Sequence, residues 1–83
     1  MLIKLSAQEF EYLSLWLLKH NQDLFKKLEN GKFAPLSFEL GEELISDIRD
    51  WVGKRLMEVG FDKDYNPTSE GLLLENMIDR LYI

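Results

Sequence analysis

The segment 62–66, DKDYN, contains the residue types that come closest to a metal site in this 83-residue chain. Oxygen-bearing side chains at its first, third and fifth positions match the start of an EF-hand calcium loop. The rest of that pattern is missing, because Pro67 takes the sixth position, where glycine permits the bend, and Leu73 takes the twelfth, where a glutamate closes the cage. We therefore expect an acidic turn between two helices, with no metal and no cofactor; a weakly bound, adventitious ion is the alternative.

Other forms of catalysis have few candidate residues. His20 is the only histidine and cysteine is absent, which excludes thiolate zinc sites, cysteine nucleophiles and a histidine pair for a metal. The five glycines are isolated from one another, whereas a phosphate loop needs several close together. Carboxylates are plentiful, but three small helices seldom enclose the pocket that paired acid–base chemistry needs. The sequence therefore predicts a protein that is not an enzyme, with His20 at the surface or stabilising a kink.

An acidic stripe is predicted along the longest amphipathic segment, residues 37–60. Its carboxylates, Glu43, Asp47 and Asp50, are spaced by four and three residues, so on a helix they lie side by side and repel one another. Lys54 alone offsets them nearby. Two interpretations stay open: a solvated face with acids near the favourable end of the helix dipole, or a contact surface for a basic partner.

A second candidate surface is the back of the first predicted helix, where Tyr12, Leu15 and Trp16 lie away from the stripe that faces the core. Between residues 10 and 18 this helix is apolar almost all round. Such a helix is either enclosed within the bundle or covered by another chain, and tyrosine and tryptophan are favoured anchors at interfaces. Both interpretations stay open.

Three helices are predicted to position these surfaces, over about Ala7–Glu29, Phe38–Val59 and Pro67–Tyr82. Each carries apolar residues at steps of three and four, which is the periodicity of a helix with one buried face. Ser6 and the glutamate three residues later predict a capping box at the first helix. Gly60 is expected to close the second helix in a left-handed conformation.

Local alternatives to this assignment lie at three places. Asn66 would cap a third helix that starts at Pro67, whereas Thr68 would cap one that starts a little later. A new N-cap near Asn21 would break the first helix. Alternating apolar residues at 36–40, after a non-helical connector at 32–36, would delay the second helix to near Gly41 and let this segment pair with residues 2–5. The expected fold is an all-α single domain of 83 residues, a small three-helix bundle with or without this two-stranded ribbon.

The charge distribution restricts the class of partner. The net charge is −5, the sequence pI is near 4.8, and the basic residues are scattered among acids. Nucleic acid and anionic membranes need a clustered basic face, so we expect neither as a partner. A negative field instead favours a basic protein and speeds encounter with it.

Targeting signals are not evident in the sequence. The first residues contain no basic region followed by a long apolar run, and the most apolar run, LSLWLL, is far shorter than the roughly 20 residues that span a bilayer. The absence of cysteine fits a reducing compartment. We therefore expect a cytoplasmic protein, and one this small gains stability from a partner or a second copy.

The last third of the chain, GFDKDYNPTSEGLLLENMIDRLYI, resembles the C-terminal segment of small acidic bacterial proteins that are immunity partners of secreted toxins. The resemblance consists of the turn DYNPTSEG followed by the closing helix LLLENMIDRL. It implies a stoichiometric binder that neutralises a toxin, often a basic nuclease, by covering its active site or substrate groove. No catalytic or contact residues carry over from the resemblance.

Two functions are therefore predicted. The first is a non-catalytic binding module, an immunity- or antitoxin-like inhibitor of a basic protein such as a toxin, with partner-binding candidates Glu43, Asp47, Asp50, Tyr12 and Trp16. The alternative is a self-associating structural or regulatory domain that forms a homodimer through Tyr12 and Trp16.

Overall fold

Four helices and a small antiparallel sheet form the fold of residues 1–82, the part of the chain that the computed structural model describes. In chain order the elements are β1 (Leu2–Lys4), α1 (Ala7–His20), α2 (Gln22–Asn30), β2 (Lys32–Ala34), β3 (Ser37–Glu39), α3 (Glu42–Val59) and α4 (Ser69–Leu81). The predicted predominance of helix is confirmed, whereas a pure three-helix bundle is wrong, because there is a fourth helix and a three-stranded sheet. None of these helices combines the length and apolar character needed to cross a membrane.

The first predicted helix is divided at Asn21. The backbone of this residue leaves the helical region, with φ −155° and ψ 78°. Its N–H donates to the Leu17 carbonyl at 2.7 Å, and its side-chain oxygen accepts the Leu24 N–H at 3.2 Å. The same residue thus closes α1 and caps α2. A continuous helix to Glu29 is therefore wrong, and the alternative of a break with a new N-cap is confirmed.

The sheet has β3 as its central strand, paired antiparallel with β1 on one side and β2 on the other. Ile3 lies opposite Phe38 in the β1–β3 register, and both side chains are buried. This pairing confirms the ribbon predicted from residues 2–5 and 36–40. The third strand, β2, replaces the expected connector and pairs with β3 through a register shift.

Helices α3 and α4 both begin later than the main prediction. Residues 37–39 belong to β3, so α3 starts after the N-cap Gly41, which confirms the delayed start. Helix α4 starts after Thr68, whose side-chain oxygen accepts the Gly71 N–H at 2.9 Å. A start at Pro67 is therefore wrong and the alternative of a later start with a Thr68 cap is confirmed, because the threonine side chain satisfies one of the free N–H groups of this helix end.

Gly60 does not adopt the predicted left-handed conformation. Its φ of −76° and ψ of −14° are right-handed. Glycine is needed instead for close approach, since a Cβ on Gly60 would overlap Leu56 and a Cβ on Gly71 would overlap the Gly60 backbone. The end of α3 and the start of α4 therefore meet backbone to backbone, and the Thr68 N–H donates to the Gly60 carbonyl at 2.8 Å.

The core lies between the inner face of the sheet and the apolar faces of the four helices. Fourteen hydrophobic residues are buried in it: Ile3, Leu5, Leu13, Leu17, Leu24, Leu28, Phe38, Leu40, Ile45, Ile48, Val52, Leu74, Met77 and Leu81. Helix α3 packs mainly on α4 and also contacts α2. This packing fixes which face of α3 is left to solvent.

Glu9 is the one buried charged residue among residues 1–82, at 2% exposure. It forms the predicted capping box with Ser6, whose N–H donates to Glu9 Oε1 at 2.7 Å. Arg80 of α4 completes the set, since its Nε donates to Glu9 Oε2 at 3.0 Å and lies 2.8 Å from Oε1. The pair joins the N-terminus of α1 to the C-terminal turn of α4.

Candidate protein-binding surfaces

The acidic stripe, Glu43, Asp47 and Asp50, lies on the solvent face of α3. All three residues are exposed, whereas Ile45 and Ile48 on the other side of the helix are completely buried. The alternation of three and four residues in the sequence therefore corresponds to a continuous carboxylate face.

The carboxylates of the stripe have no ion-pair partner within residues 1–82. The ion pairs found there join other residues: Met1 to Glu39, Arg55 to Glu70, and Arg80 to Glu9. The helix dipole favours Glu43, which lies in the first turn of α3, but its effect falls off within that turn. Asp47 and Asp50 thus have no cationic group within 4 Å among the described residues, and Lys27 and Lys54, which line the same groove, offset their charge only at longer range.

A groove between α2 and α3 borders the stripe and has a volume of about 360 Å³. Asp23 and Lys27 of α2 line it together with Asp47 and Asp50 of α3. The break at Asn21 is what turns α2 towards α3, so the sequence prediction of one long first helix missed Asp23 as a member of this acidic surface. Lys27 and Lys54 add two positive charges at the edge of the groove.

Trp51 is the aromatic residue of this groove. It is half-buried, packs against the core, and also lines an adjoining groove with His20, Arg55 and Glu58. Trp51 continues the apolar spacing of Ile48 on α3, and part of it remains exposed. An indole beside exposed carboxylates offers a flat surface on which a cationic group can stack.

Tyr12 and Trp16 lie apart from the acidic stripe and contact other helices of the same chain. The Tyr12 hydroxyl donates to the Glu70 carboxylate of α4 and accepts a hydrogen bond from Arg55 Nε of α3 at 3.0 Å. The Arg55 guanidinium also lies 4.0 Å from the centre of the Trp16 ring. These contacts join α1, α3 and α4, and both aromatic residues are half-buried.

The hydroxyl of Tyr12 is held in its neutral form by these surroundings. Burial raises the pKa of Tyr12 to about 12, and the hydrogen bond to Glu70 adds to the increase, while Arg55 opposes it. The hydroxyl therefore acts as a hydrogen-bond donor at neutral pH, and neither burial nor the adjacent carboxylate favours a phenolate nucleophile.

Leu15 and Leu18 are the part of α1 that remains open to solvent, at 58% and 49% exposure. Leu15 lines a groove of about 530 Å³ between α1 and α4 together with Tyr12 and Leu73. The apolar residues predicted all round this helix thus fall into two groups. Tyr12 and Trp16 contact other helices of the same chain, whereas Leu15 and Leu18 are left exposed.

The chain was compared with known proteins. No family model, curated protein or solved structure matches it.

The other sequence candidates have structural positions that account for them. His20 is exposed at the end of α1, as predicted, and stacks on Trp16 with 5.7 Å between ring centres. Residues 62–66 form the predicted turn, in which the Asp62 carboxylate accepts backbone N–H groups. Within residues 1–82 no group of three histidine or acidic residues is placed to hold a metal ion.

Proposed function

We propose that the protein is a non-catalytic binding module, an immunity- or antitoxin-like inhibitor, that holds a basic protein partner against the acidic stripe of α3. The observation that carries this proposal is a row of three exposed carboxylates without an ion pair in residues 1–82. Like charges at these spacings destabilise a helix by about 0.2–0.5 kcal/mol per pair. A cationic surface on the partner relieves this repulsion between carboxylates. The relief contributes to the binding free energy, because the free protein bears the repulsion and the complex does not.

The chemistry around the stripe favours arginine and lysine on the partner. An arginine that stacks on Trp51 lies within reach of the Asp47 and Asp50 carboxylates that border the same groove. Lys27 and Lys54 line the same groove and repel any partner cation that lies next to them. A binding position in which the partner's cations face the carboxylates is therefore favoured over the others. The net charge of −5 adds long-range attraction that accelerates the encounter.

The inhibitory role is supported by the resemblance of residues 60–83 to immunity proteins of secreted toxins. Such a protein acts by occupying a surface of its target, so it needs a stable complementary face and no reacting group. The toxin in this proposal is a basic protein whose substrate groove is covered by α3.

Site-specific photo-crosslinking in the source cells tests the proposal and identifies the partner. A photoreactive residue at Lys54, which is exposed beside the stripe, keeps all three carboxylates intact. We expect one dominant adduct, with a basic protein identified by mass spectrometry. Lys4 is the matched control, since it is an exposed lysine on β1 and should give no such adduct. An acidic or neutral partner at position 54, or the same adduct from both positions, would contradict the proposal.

A homodimer is the second candidate function, because Leu15 and Leu18 expose apolar surface on α1. Light scattering of the purified chain separates the two candidates. A tight dimer that Leu15→Glu dissociates supports self-association, whereas a monomer at tens of micromolar chain contradicts it.

A further inference from the structure

Tyr65 has a backbone conformation that its residue type rarely adopts. Its φ is 63°, and no other non-glycine residue in the range 1–82 has a positive φ. In this left-handed region the Cβ crowds the following carbonyl oxygen, so glycine, asparagine and aspartate are favoured there and bulky residues are not. Tyrosine is therefore an unfavourable choice for the local backbone.

The turn around Tyr65 is fixed by its own hydrogen bonds. The Asp62 carboxylate accepts the N–H groups of Asp64 at 2.9 Å and Asn66 at 3.0 Å. The Asp62 N–H donates to the Asn66 carbonyl at 2.9 Å, and the Tyr65 N–H donates to the Asp62 carbonyl at 3.0 Å. A β-bridge between the two flanking residues closes the turn. The loop backbone is thus ordered before binding, which lowers the entropy lost on association.

The Tyr65 side chain does little for the fold, since it is 86% exposed. No aromatic pair or cation–π contact within residues 1–82 includes its ring. By contrast Tyr82, which is 71% exposed, has the Arg49 guanidinium 4.9 Å from its ring centre. Backbone strain that presents an unsupported aromatic ring is typical of functional loops, and tyrosine is a frequent interface anchor.

Two more exposed apolar side chains precede the turn. Met57 near the end of α3 is 79% exposed and Phe61 is 39% exposed. Because Gly60 keeps a right-handed conformation, Phe61 follows Met57 by about one helical turn. We refer to Met57, Phe61 and Tyr65 as the apolar tip.

Met57 and Phe61 of the apolar tip continue the acidic stripe. Along α3 and the residue after Gly60, exposed positions recur at steps of four, three, four, three and four: Glu43, Asp47, Asp50, Lys54, Met57 and Phe61. This spacing keeps them on one face of the helix. Along this face three carboxylates are thus followed by Lys54 and then by two apolar side chains.

The charge pattern of this face selects the kind of occupant. A second copy of the chain that met this face with the same face would place the carboxylates either against carboxylates or against the apolar tip, and both arrangements are unfavourable. A basic protein with an apolar pocket beside its cationic surface matches the whole face.

We propose that Tyr65 inserts into an apolar pocket that borders the cationic surface of the basic partner, so that the apolar tip is the second half of the interface. This inference rests on the proposed function and identifies the partner surface more closely. Charges mainly set the rate of encounter, whereas a desolvated aromatic anchor mainly sets the lifetime of the complex.

The first test places a photoreactive residue at position 65 of the full chain in the source cells. We expect an adduct with the same basic protein that crosslinks from position 54. An adduct with a second copy of the chain, an adduct with a different protein, or no adduct would overturn the inference.

The second test measures association and dissociation rates with that purified partner. Tyr65→Asn suits the left-handed backbone, so its melting temperature should equal or exceed that of the wild type. We expect its dissociation rate to rise about tenfold or more, with the association rate within about twofold. Tyr65→Phe should dissociate like the wild type, and so should the control Phe33→Asn, which removes an aromatic side chain that is 63% exposed on β2.

An unchanged dissociation rate in Tyr65→Asn, or an equal increase in Phe33→Asn, would overturn the inference. The two proposals fail separately. If Asp47→Asn/Asp50→Asn slows association while Tyr65→Asn dissociates normally, the apolar tip is wrong and the acidic stripe stands. The reverse pattern would reject the acidic stripe and leave the apolar tip as the contact.

Discussion

Replacing Glu9 by alanine should cause a large loss of stability for a residue outside the apolar core. The substitution leaves the Ser6 N–H without the acceptor it now has at 2.7 Å, and leaves Arg80 without the carboxylate at 2.8 Å. Losing a partner for a part-buried N–H costs about 1–2 kcal/mol, and the charged hydrogen bond from the half-exposed arginine contributes about 1 kcal/mol. The expected loss is about 2–3 kcal/mol, or about 10–20 °C in the melting temperature of a domain this small.

Thermal and urea unfolding followed by circular dichroism measure this loss. The matched control is Glu11→Ala, on the same helix but exposed, which should change stability by less than about 0.5 kcal/mol. A double-mutant cycle with Arg80→Ala should give a coupling free energy of about 0.5–1 kcal/mol or more, because the two side chains touch. If Glu9→Ala and Glu11→Ala have the same stability, the buried pair does not join α1 to α4 as described.

Two further predictions concern the contacts that hold the helices together. Because the pKa of Tyr12 is raised from 10.0 to about 12 by burial and by the hydrogen bond to Glu70, its contribution to stability should be complete below about pH 10 and lost as the pH rises through about 12. A spectrophotometric titration should show a late tyrosine step that Tyr12→Phe removes, and persistence of that step would contradict the assignment. Gly71→Ala should destabilise by about 1–3 kcal/mol, because its Cβ overlaps the Gly60 backbone. The control is Gly53→Ala, whose Cβ meets nothing within 4 Å and which should stabilise α3 by about 0.5–1 kcal/mol. If the two substitutions change the free energy of urea unfolding equally, the close contact between Gly71 and Gly60 is refuted.

The features that local sequence determines were predictable. The capping box at Ser6 and the apolar periodicity of α3 depend on residues within a few positions of one another, and both are present. The pairing of residues 2–5 with 36–40 was open as an alternative, because apolar residues alternate at 36–40 and the first residues of the chain are mostly apolar. The acidic stripe belongs to this class, since its exposure follows from the period of one helix.

The features that distant contacts decide were not predictable. Asn21 is an intermediate case, because the sequence left both a continuous helix and a break with a new N-cap open, and the side-chain cap on Leu24 produces two helices. Gly60 could serve a left-handed turn or a close approach, and the structure has the second: Leu56 occupies the space of a Gly60 Cβ, and the Gly60 backbone occupies that of a Gly71 Cβ. The partner of Glu9 is 71 positions away, and no local pattern in the sequence points to Arg80.

The same limit applies to the aromatic residues. The sequence around Tyr12 and Trp16 does not indicate that Arg55 contacts both side chains, because that contact depends on how α3 lies against α1. The position of Tyr65 in a left-handed turn was likewise hidden, since tyrosine does not signal a positive φ.

The association rate of the identified partner with the acidic-stripe variant Asp47→Asn/Asp50→Asn tests the central claim most directly. The control is Glu11→Gln/Asp79→Asn, which also removes two negative charges but from exposed positions outside α3. At low salt the stripe variant should associate about tenfold more slowly than the control, and near 1 M salt, where the Debye length is about 3 Å, the difference should disappear. Equal rates for the two variants at low salt would contradict binding of a basic partner by the acidic stripe.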